Sequence, residues 1–305
     1  MTRGAVAAAL ALSLSACAGS RLAPGSHAPR GWSGSASDAF AMDVAPVAAA
    51  PVQGPPCGAP VPPCCPPCVP DPCGGFEVSV RVRAWWACAS GDLLITRGSE
   101  PGSGTTADLQ DDLGLCSSVE PTVGVDLRCG RHRLRLAWER LAFCGSETLD
   151  EDVIFRGTTF PAGEDVDSWL CLTLWEAGYQ YAVVATPCTE VWVGAGAWWW
   201  SFSSELDGES GLSESRSFSH VLPIATVDAV QRWGNFSLHG GIHGGLLDDD
   251  RYAIDLEASV GWRFWGPFEL EAGWRWMRFA FHEATNEMDA TFTGPFVGLS
   301  ASFYL

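Results

Sequence analysis

Histidines near hydroxyl or carboxyl groups are the side chains of this sequence whose types and spacing could do chemistry. A histidine beside a serine or an aspartate can activate a nucleophile or a water molecule. The sequence has no Asp-x-His pair and no known catalytic signature. We therefore predict that the protein is not an enzyme and needs no cofactor. The residues considered are His220 with Ser217 and Ser219, His282 with Glu283, and the pair His239 and His243.

Clustered carboxylates are a second chemical feature, because they can bind hard divalent cations through oxygen. No cluster has the glycine-containing spacing of an EF-hand loop, so we predict no dedicated metal site. Asp248, Asp249 and Asp250 are the weak candidates for a divalent cation. The other acidic residues, read as solvated loops, are Glu147, Asp150, Glu151, Asp152, Glu164, Asp165, Asp167, Glu205, Asp207, Glu209 and Glu214.

The charge balance argues against a nucleic-acid partner. The chain has 18 basic residues, all of them arginine, against 36 acidic residues, for a net charge of −18. Contacts to phosphates need a basic surface. After the N-terminus no run of apolar residues is long enough for a membrane-spanning helix. If the chain crosses a membrane, it must therefore cross as a closed barrel.

Residues 1–17 have the features of a secretory signal. A charged start at Arg3 is followed by an apolar stretch from Ala5 to about Leu14, and then by small residues. The ending Leu14-Ser15-Ala16-Cys17 resembles the lipobox of bacterial lipoproteins. That resemblance implies that Cys17 is acylated and begins the mature chain. Ordinary signal cleavage near Ala18 is the alternative.

Residues 18–75 are rich in Ala, Ser, Pro and Cys and show no periodicity, which predicts a disordered tether. The stretch from Pro51 to Gly75 contains ten prolines and five cysteines and favours an extended polyproline II spacer. We predict linker or interchain disulfides for these cysteines, with a zinc site as the weaker alternative. They are Cys57, Cys64, Cys65, Cys68 and Cys73.

Residues 76–305 alternate between apolar and polar side chains, which is typical of strands with one apolar and one polar face. The clearest run is Tyr252 to Phe264. The alternation changes phase near Arg140 and near Trp175, where we expect β-bulges. About ten strands are predicted, with 8 to 12 allowed by the pattern: roughly 76–90, 113–129, 131–145, 168–185, 188–203, 216–232, 235–247, 252–265, 267–283 and 290–305.

The connections between these strands alternate between short and long. Tight turn dipeptides such as Gly130-Arg131 and Gly266-Pro267 occupy every second position, and longer polar segments occupy the others. This sorting is typical of outer-membrane barrels, with short periplasmic turns and long extracellular loops. Tryptophans near strand ends would suit the interfacial aromatic belts: Trp86, Trp198, Trp199, Trp200, Trp233 and Trp265.

The last strand, with apolar residues at alternate positions from Val297 to Leu305, resembles the C-terminal insertion signature of outer-membrane barrels. With the loop sorting, it makes the chain similar to small bacterial outer-membrane barrels such as the outer membrane protein A transmembrane domain. The departure is Leu305, where the signature usually has phenylalanine. The resemblance implies an antiparallel up-and-down transmembrane barrel in the cell outer membrane. It also implies contacts with outer-membrane lipids and lipopolysaccharide, and insertion by the barrel-assembly machinery through the C-terminal strand.

Charged residues on the polar faces should then point into the lumen and pair there, because isolated buried charges are costly. The interpretations left open are an ionic plug with a structural role and a narrow charge-lined pore. Glu176 and Asp228 lie on the same faces. The predicted network consists of Arg81, Arg83, Asp126, Arg128, Arg133, Arg135, Glu139, Asp255, Glu257, Arg263, Glu269, Glu271 and Arg275.

Two other functions remain as alternatives. A soluble, lipocalin-like barrel that binds an apolar ligand would have the inverted arrangement, with apolar rows inside and charged rows outside. A lipid-modifying outer-membrane enzyme would need a histidine-dependent site at the rim, at His220 or His282.

Cysteines flank the first two long connections. Cys88 and Cys116 are placed symmetrically about the first, and Cys144 and Cys171 about the second. Mirrored positions of an antiparallel hairpin come close to the separation that a disulfide requires. We therefore predict Cys88–Cys116 and Cys144–Cys171 bridges.

Overall fold

Long antiparallel strands close into a barrel in the computed structural model, which describes residues 75–96, 103–115, 117–248, 251–283 and 286–305. Ten of the strands form the barrel, each paired with the next, and β13 pairs with β1. The predicted all-β, up-and-down barrel is confirmed. The strands are β1 Phe76–Ile95, β2 Thr106–Asp108, β3 Ser117–Cys129, β4 His132–Thr148, β5 Val153–Phe155, β6 Thr158–Phe160, β7 Asp165–Ala185, β8 Thr189–Gly208, β9 Ser213–Trp233, β10 Phe236–Asp248, β11 Arg251–Trp265, β12 Phe268–Glu283 and β13 Asn286–Tyr304.

The short connections all lie at one end of the barrel, here called the lower end. Gly130, Gly234 and Gly266 adopt φ values of 56°, 58° and 51° in three of these turns. Glycine accepts positive φ without the steric cost that other residues incur, so the chain can reverse direction tightly at these three glycines. The long connections lie at the other, upper end.

Segments of the upper connections fold over the upper end. Strand β2 adds to the top of β1, and β5 pairs with β6 in a hairpin. The hairpin is tied to the end of β1, since Arg156 N donates to Ile95 O at 3.0 Å. The turn that follows β2 buries Leu109 and Leu113 against the strands. Within the described ranges no helix has the length and apolar character needed to cross a membrane.

The expectation of β-bulges near Arg140 and Trp175 was wrong. Strands β4 and β7 pair without interruption from His132–Tyr181 to Thr148–Asp165. The pairing of β7 with β8 shifts only between Ala182 and Val184. Side chains keep alternating between inside and outside, but the type of residue on each side changes part-way along the strand. That change of type was mistaken for a change of register.

The barrel therefore has two halves of opposite polarity. In the lower half, arginines such as Arg83 are buried inside, while Val80 and Val82 are exposed outside. In the upper half, Trp85 and Ala87 are buried inside, and the outward Cys88 is exposed. Because these residues all lie on β1 without a register shift between them and β3, the inversion is a property of the sequence.

Aromatic rings mark the two limits of the apolar outer surface. Phe76 and Trp86 are both exposed and stand at opposite ends of this surface on β1. Trp86, Trp199, Trp233 and Trp265 point outward as the aromatic-belt prediction requires, but Trp198 and Trp200 are buried inside. These side chains form two belts around the barrel, here called the upper and the lower aromatic ring. The upper aromatic ring consists of Trp86, Trp138, Trp175, Trp199 and Trp274, and the lower aromatic ring includes Trp233, Phe236, Trp262, Trp265, Phe303 and Tyr304.

Candidate functional site

An ionic network fills the lower half of the lumen. In this network Arg83 of β1 bonds to residues of β11 and β12. Arg83 Nε donates to Glu271 Oε1 of β12 at 2.6 Å, and Nη1 donates to Glu257 Oε2 of β11 at 2.6 Å. Its guanidinium lies 4.5 Å from the ring centroid of Phe296. Arg81, one inward position lower, is 3.8 Å from Glu271.

A second cluster surrounds Asp228 of β9. Arg133 donates to this carboxylate, and Arg135 Nη1 is 3.2 Å from Asp228 Oδ2. His243 Nε2 lies 3.0 Å from Asp228 Oδ1. Gln180 Nε2 donates to Asp228 at 2.6 Å, and Gln180 Oε1 accepts from Arg133 Nε at 2.6 Å. Every polar side chain in this cluster therefore has a partner on another strand.

Glu176 extends the same cluster upward. Its carboxylate lies 3.4 Å from Arg135 Nε and 3.6 Å from His243 Nδ1. Trp198 Nε1 donates to Glu176 at 3.1 Å, and this indole belongs to the apolar upper half. The histidine is thus held between two carboxylates, one on β7 and one on β9.

Arg275 of β12 forms the top layer of the network. Its Nε and Nη2 donate to the two oxygens of Asp255 at 2.9 and 2.8 Å, a bidentate pair. Its Nη1 donates to Glu139 of β4, on the opposite side of the barrel, at 2.7 Å. The guanidinium lies 4.6 Å from the ring centroid of Trp85, which caps the layer from above.

The lower end of the lumen is closed by a group centred on Glu190. Arg128 Nη1 is 2.9 Å and Arg232 Nη2 is 3.3 Å from this carboxylate. The Arg128 and Arg133 guanidinium groups lie 4.9 and 4.6 Å from the Trp192 ring centroid. Arginine and tryptophan thus stack together where the lumen meets the lower end.

His239 lies in a group that resembles a catalytic triad in composition only. Its Nε2 is 2.8 Å from Ser237 Oγ and 2.9 Å from Glu269 Oε1. A histidine that activates a serine needs one ring nitrogen for the serine and the other for the carboxylate. Here a single nitrogen contacts both, so the geometry gives no nucleophile.

The two rim histidines lie on the upper parts of β9 and β12. His220 packs into an aromatic cluster, with ring centroids 4.4 Å from Phe281 and 5.8 Å from Phe218. His282 is exposed at the end of β12. The side chain of Glu283 lies outside the described residues.

Each of the thirteen lumen residues predicted from the sequence takes part in at least one ion pair. Arg81 pairs with Asp126 at 3.7 Å, and Arg263 with Glu269 at 3.8 Å, nearer the lower end. His239 and His243, considered above for catalysis, also point into the lumen. Further inward residues that follow the same two-residue alternation were not predicted: Glu77, Gln180, Glu190, Arg232 and Ser237. Alternation within their own strands was the signal that could have identified them.

Little empty space remains in this network. Two cavities lined by residues of this network have volumes of about 30 and 20 Å³. Such spaces hold one or two water molecules. Around these two cavities, the lower half is therefore packed with side chains.

The upper half of the lumen is filled by apolar side chains. Phe143 stacks on Phe292 with centroids 5.5 Å apart, and Trp198 lies 6.2 Å from Phe279. The buried group includes Trp85, Leu141, Phe143, Leu170, Leu172, Trp198, Trp200, Phe202, Met277, Phe279, Phe281, Phe292 and Phe296. The upper half of the lumen is therefore packed like an ordinary hydrophobic core, and it lies directly above the ionic network.

Both predicted disulfides are corrected by the structure. Cys88 and Cys171 are free thiols, whereas Cys144 is disulfide-bonded. Cys116 lies outside the described residues. The symmetry argument failed because the register of β4 and β7 pairs Cys171 with Ala142 and Cys144 with Trp169, so the two cysteines do not stand opposite each other. The Cys171 sulfur instead accepts from Arg140 Nε at 3.3 Å.

No group of three or more metal-binding side chains occurs among the described residues. Asp248 pairs with Arg251, and Asp249 and Asp250 lie outside the described ranges. Cys17 and the five tether cysteines, Cys57, Cys64, Cys65, Cys68 and Cys73, also lie outside them.

Comparison with known proteins gives the fold without a family. No family model and no curated protein sequence matches this chain. Among solved structures, the outer membrane protease OmpT from Escherichia coli matches with a TM-score of 0.53 at 10% identity, over 74% of this chain and 97% of that one. The fold is that of bacterial outer-membrane β-barrels.

Two further outer-membrane proteins match less closely. The attachment invasion locus protein Ail of Yersinia pestis has a TM-score of 0.35 at 10% identity, over 75% of this chain and 99% of that one. Neisserial surface protein A has a TM-score of 0.33 at 12% identity, over 74% and 97%. At such identities only the fold is shared, and of these three matches the OmpT match has the TM-score that supports this conclusion.

Proposed function

We propose that this chain is an integral β-barrel of the bacterial outer membrane with a structural, non-conducting role. The observation that carries the proposal is the filled lumen: ion pairs pack its lower half and an apolar core packs its upper half. The narrow pore is therefore disfavoured against the plug. The lipocalin-like alternative is not favoured, because the apolar rows of the lower half face outward.

The outer surface of the lower half suits a bilayer. Phe76 and Trp86 bracket the apolar rows of β1 and are ten positions apart. A tilted strand needs about 9–11 residues to cross the hydrocarbon. Aromatic rings at both limits correspond to the interfacial belts of such barrels. In this proposal the upper half projects beyond the outer leaflet, and its polar outer surface meets water and lipopolysaccharide.

Planar-bilayer recording on refolded protein tests the structural role. We expect no stepwise conductance, because ion pairs pack the lower half of the lumen and apolar side chains pack the upper half. Heat-modifiable gel mobility of the same sample serves as the control for folding. Reproducible channels from the heat-modifiable form would replace the structural role with the pore.

We extend the proposal to the N-terminal segment, with Cys17 acylated and the tether cysteines joined in linker or interchain disulfides. Metabolic labelling with palmitate should mark the wild-type chain and leave Cys17→Ser unlabelled. The variant should still need detergent for extraction, because the barrel itself holds it in the membrane. Release of Cys17→Ser into the soluble fraction would contradict the integral barrel.

A further inference from the structure

In the upper half, strand β4 extends beyond the end of its pairing with β3, and strand β9 extends beyond the end of its pairing with β10. Strand β4 pairs with β3 only as far as Thr122–Glu139, and β9 pairs with β10 only as far as Ala225–Gly244. An unpaired strand edge presents a row of backbone N–H and C=O groups that can bind another strand. The chain treats the two edges differently.

The edge of β4 is covered by the chain itself. Ala142 N donates to the Glu120 carboxylate at 2.9 Å. The turn after β2 lies against Gly145 so closely that a Cβ there would come within 2.2 Å of Leu113 O. Cys144, between these two contacts, is disulfide-bonded. This edge is therefore closed to any other strand.

The edge of β9 from Ser213 to Val221 has no paired strand on the side away from β8 among the described residues. Arg232 N donates to Cys188 O on the β8 side at 2.7 Å, so even-numbered residues direct their backbone groups toward β8. The pairing with β8 continues without a shift to Ser213. Odd-numbered residues therefore direct theirs away from β8, where no strand pairs with them in the described part of the chain.

The side chains along this edge leave room for an added strand. The outward residues from Ser213 to Ser219 are all serine, which is small and does not block the edge. Pro223, which has no N–H, stands where the pairing with β10 stops. Among the carbonyls of the edge, Ser215 O accepts from Arg156 Nη1 at 2.9 Å.

On the inner side of the edge Phe218 stands between Arg216 and His220, and the neighbouring outer surface is acidic. Phe218 stacks on Phe281 with centroids 5.6 Å apart. On the outer surface Glu205 stands opposite Ser215, and Asp207 stands opposite Ser213. An added strand would place alternate side chains over the phenylalanines and the others within electrostatic reach of the carboxylates.

We propose that the β9 edge from Ser213 to Val221 binds an extended segment of a partner polypeptide as an added strand. The segment has apolar residues at alternate positions, which cover Phe218 and Phe281, and basic residues between them. Backbone hydrogen bonds supply the affinity and the alternate pockets supply the selectivity, as in other strand additions. This goes beyond the structural role and does not depend on whether the lumen conducts.

A second copy of this chain fits the edge less well. An antiparallel ladder between two β9 edges requires barrels that point in opposite directions, but barrels inserted in one membrane all point the same way. The partner segment is under no such restriction, because a flexible peptide can run in either direction.

The test uses the refolded full chain and a synthetic peptide of alternating valine and lysine, as long as the open edge. We expect saturable binding by calorimetry, with slower hydrogen exchange at the amides of Ser217, Ser219 and Val221. Before the peptide is added, these amides should exchange faster than those of Phe218 and His220, which face β8. A peptide with valines and lysines in separate blocks should not bind.

The matched variants are Ser219→Pro and Ser219→Ala. Proline removes an edge donor and should weaken binding by about tenfold or more, while alanine keeps the N–H and should bind within about twofold. Pro223 shows that β9 tolerates proline at an odd-numbered position, where the backbone nitrogen faces away from β8. Heat-modifiable gel mobility serves as the check that each variant folds. As a second readout, the peptide should lose binding when its edge-facing amides are N-methylated.

Several results would overturn the proposal: no binding of the alternating peptide, equal binding of the block peptide, or unchanged binding by Ser219→Pro or by the N-methylated peptide. Slow exchange of the three amides in the free barrel would show that the edge is already covered. If that protection depends on protein concentration, the occupant is a second copy and the proposal is wrong.

Discussion

The two halves of this barrel have opposite polarity, although the same strands build both. On β12, Arg275 and Phe279 both point inward, yet Arg275 is held by Asp255 and Glu139, and Phe279 packs among Trp198 and Phe292. In the proposed membrane placement, the difference follows from what surrounds each half. Lipid requires an apolar outside and leaves the inside to paired charges, whereas water requires a polar outside and makes the apolar inside a source of stability.

The largest expected effect comes from breaking the ionic half. Arg275→Ala should destabilise the barrel by about 3–5 kcal/mol, because the buried carboxylates of Asp255 and Glu139 lose their counter-charge. The measurement is urea unfolding of the refolded protein in lipid vesicles. The triple variant Arg275→Met, Asp255→Asn, Glu139→Gln removes every charge of the layer and should lose less. If the triple variant loses as much as the single one, the cost is not due to uncompensated charge.

The apolar half should respond to loss of volume instead. Phe279→Ala removes a buried ring and should cost about 3–4 kcal/mol, through lost burial and the cavity left behind. Hydrogen exchange should show the loss first in the upper parts of β12 and β13, with the lower parts still protected. Phe279→Leu, which keeps most of the volume, is the control. Uniform loss of protection along β12 would mean that the two halves unfold as one unit.

On the outer surface the lower half should be the one that does not tolerate a charge, whereas the upper half should accept one. Val82→Arg puts a charge on the apolar surface of the lower half and should cost about 2–4 kcal/mol in vesicles. Ser90→Arg, an outward position of the upper half on the same strand, should change stability by less than about 0.5 kcal/mol. Paired unfolding curves measure both. Similar costs at the two sites would place the membrane boundary elsewhere.

Alternation made the strands and the closed barrel predictable, since inward and outward positions keep a period of two whatever occupies them. Arg81 and Arg83 could be assigned to the lumen on that basis, and so could Glu257 and Glu271. The inversion at Trp85 could not, because a residue type does not state which side of a strand meets lipid. The same ambiguity produced the mistaken bulges at Arg140 and Trp175. The Cys144–Cys171 prediction failed for another reason, since distance from a loop midpoint does not fix the register, which places Cys171 opposite Ala142.

The smallest effect should locate the boundary between the halves most sharply. Trp199 is exposed in the upper aromatic ring, whereas Trp198 and Trp200 on either side are buried. Trp199→Phe should cost no more than about 1 kcal/mol, because the phenyl ring keeps most of the interfacial contact. It should nevertheless reduce the fluorescence quenching by lipids brominated near the headgroup, because an exposed indole at that depth is lost. Trp200→Phe, the control, should leave this quenching unchanged, since its ring packs on Phe281 inside the barrel. Quenching that falls equally in both variants would place the upper aromatic ring outside the interface, and with it the level at which the barrel exchanges lipid for water.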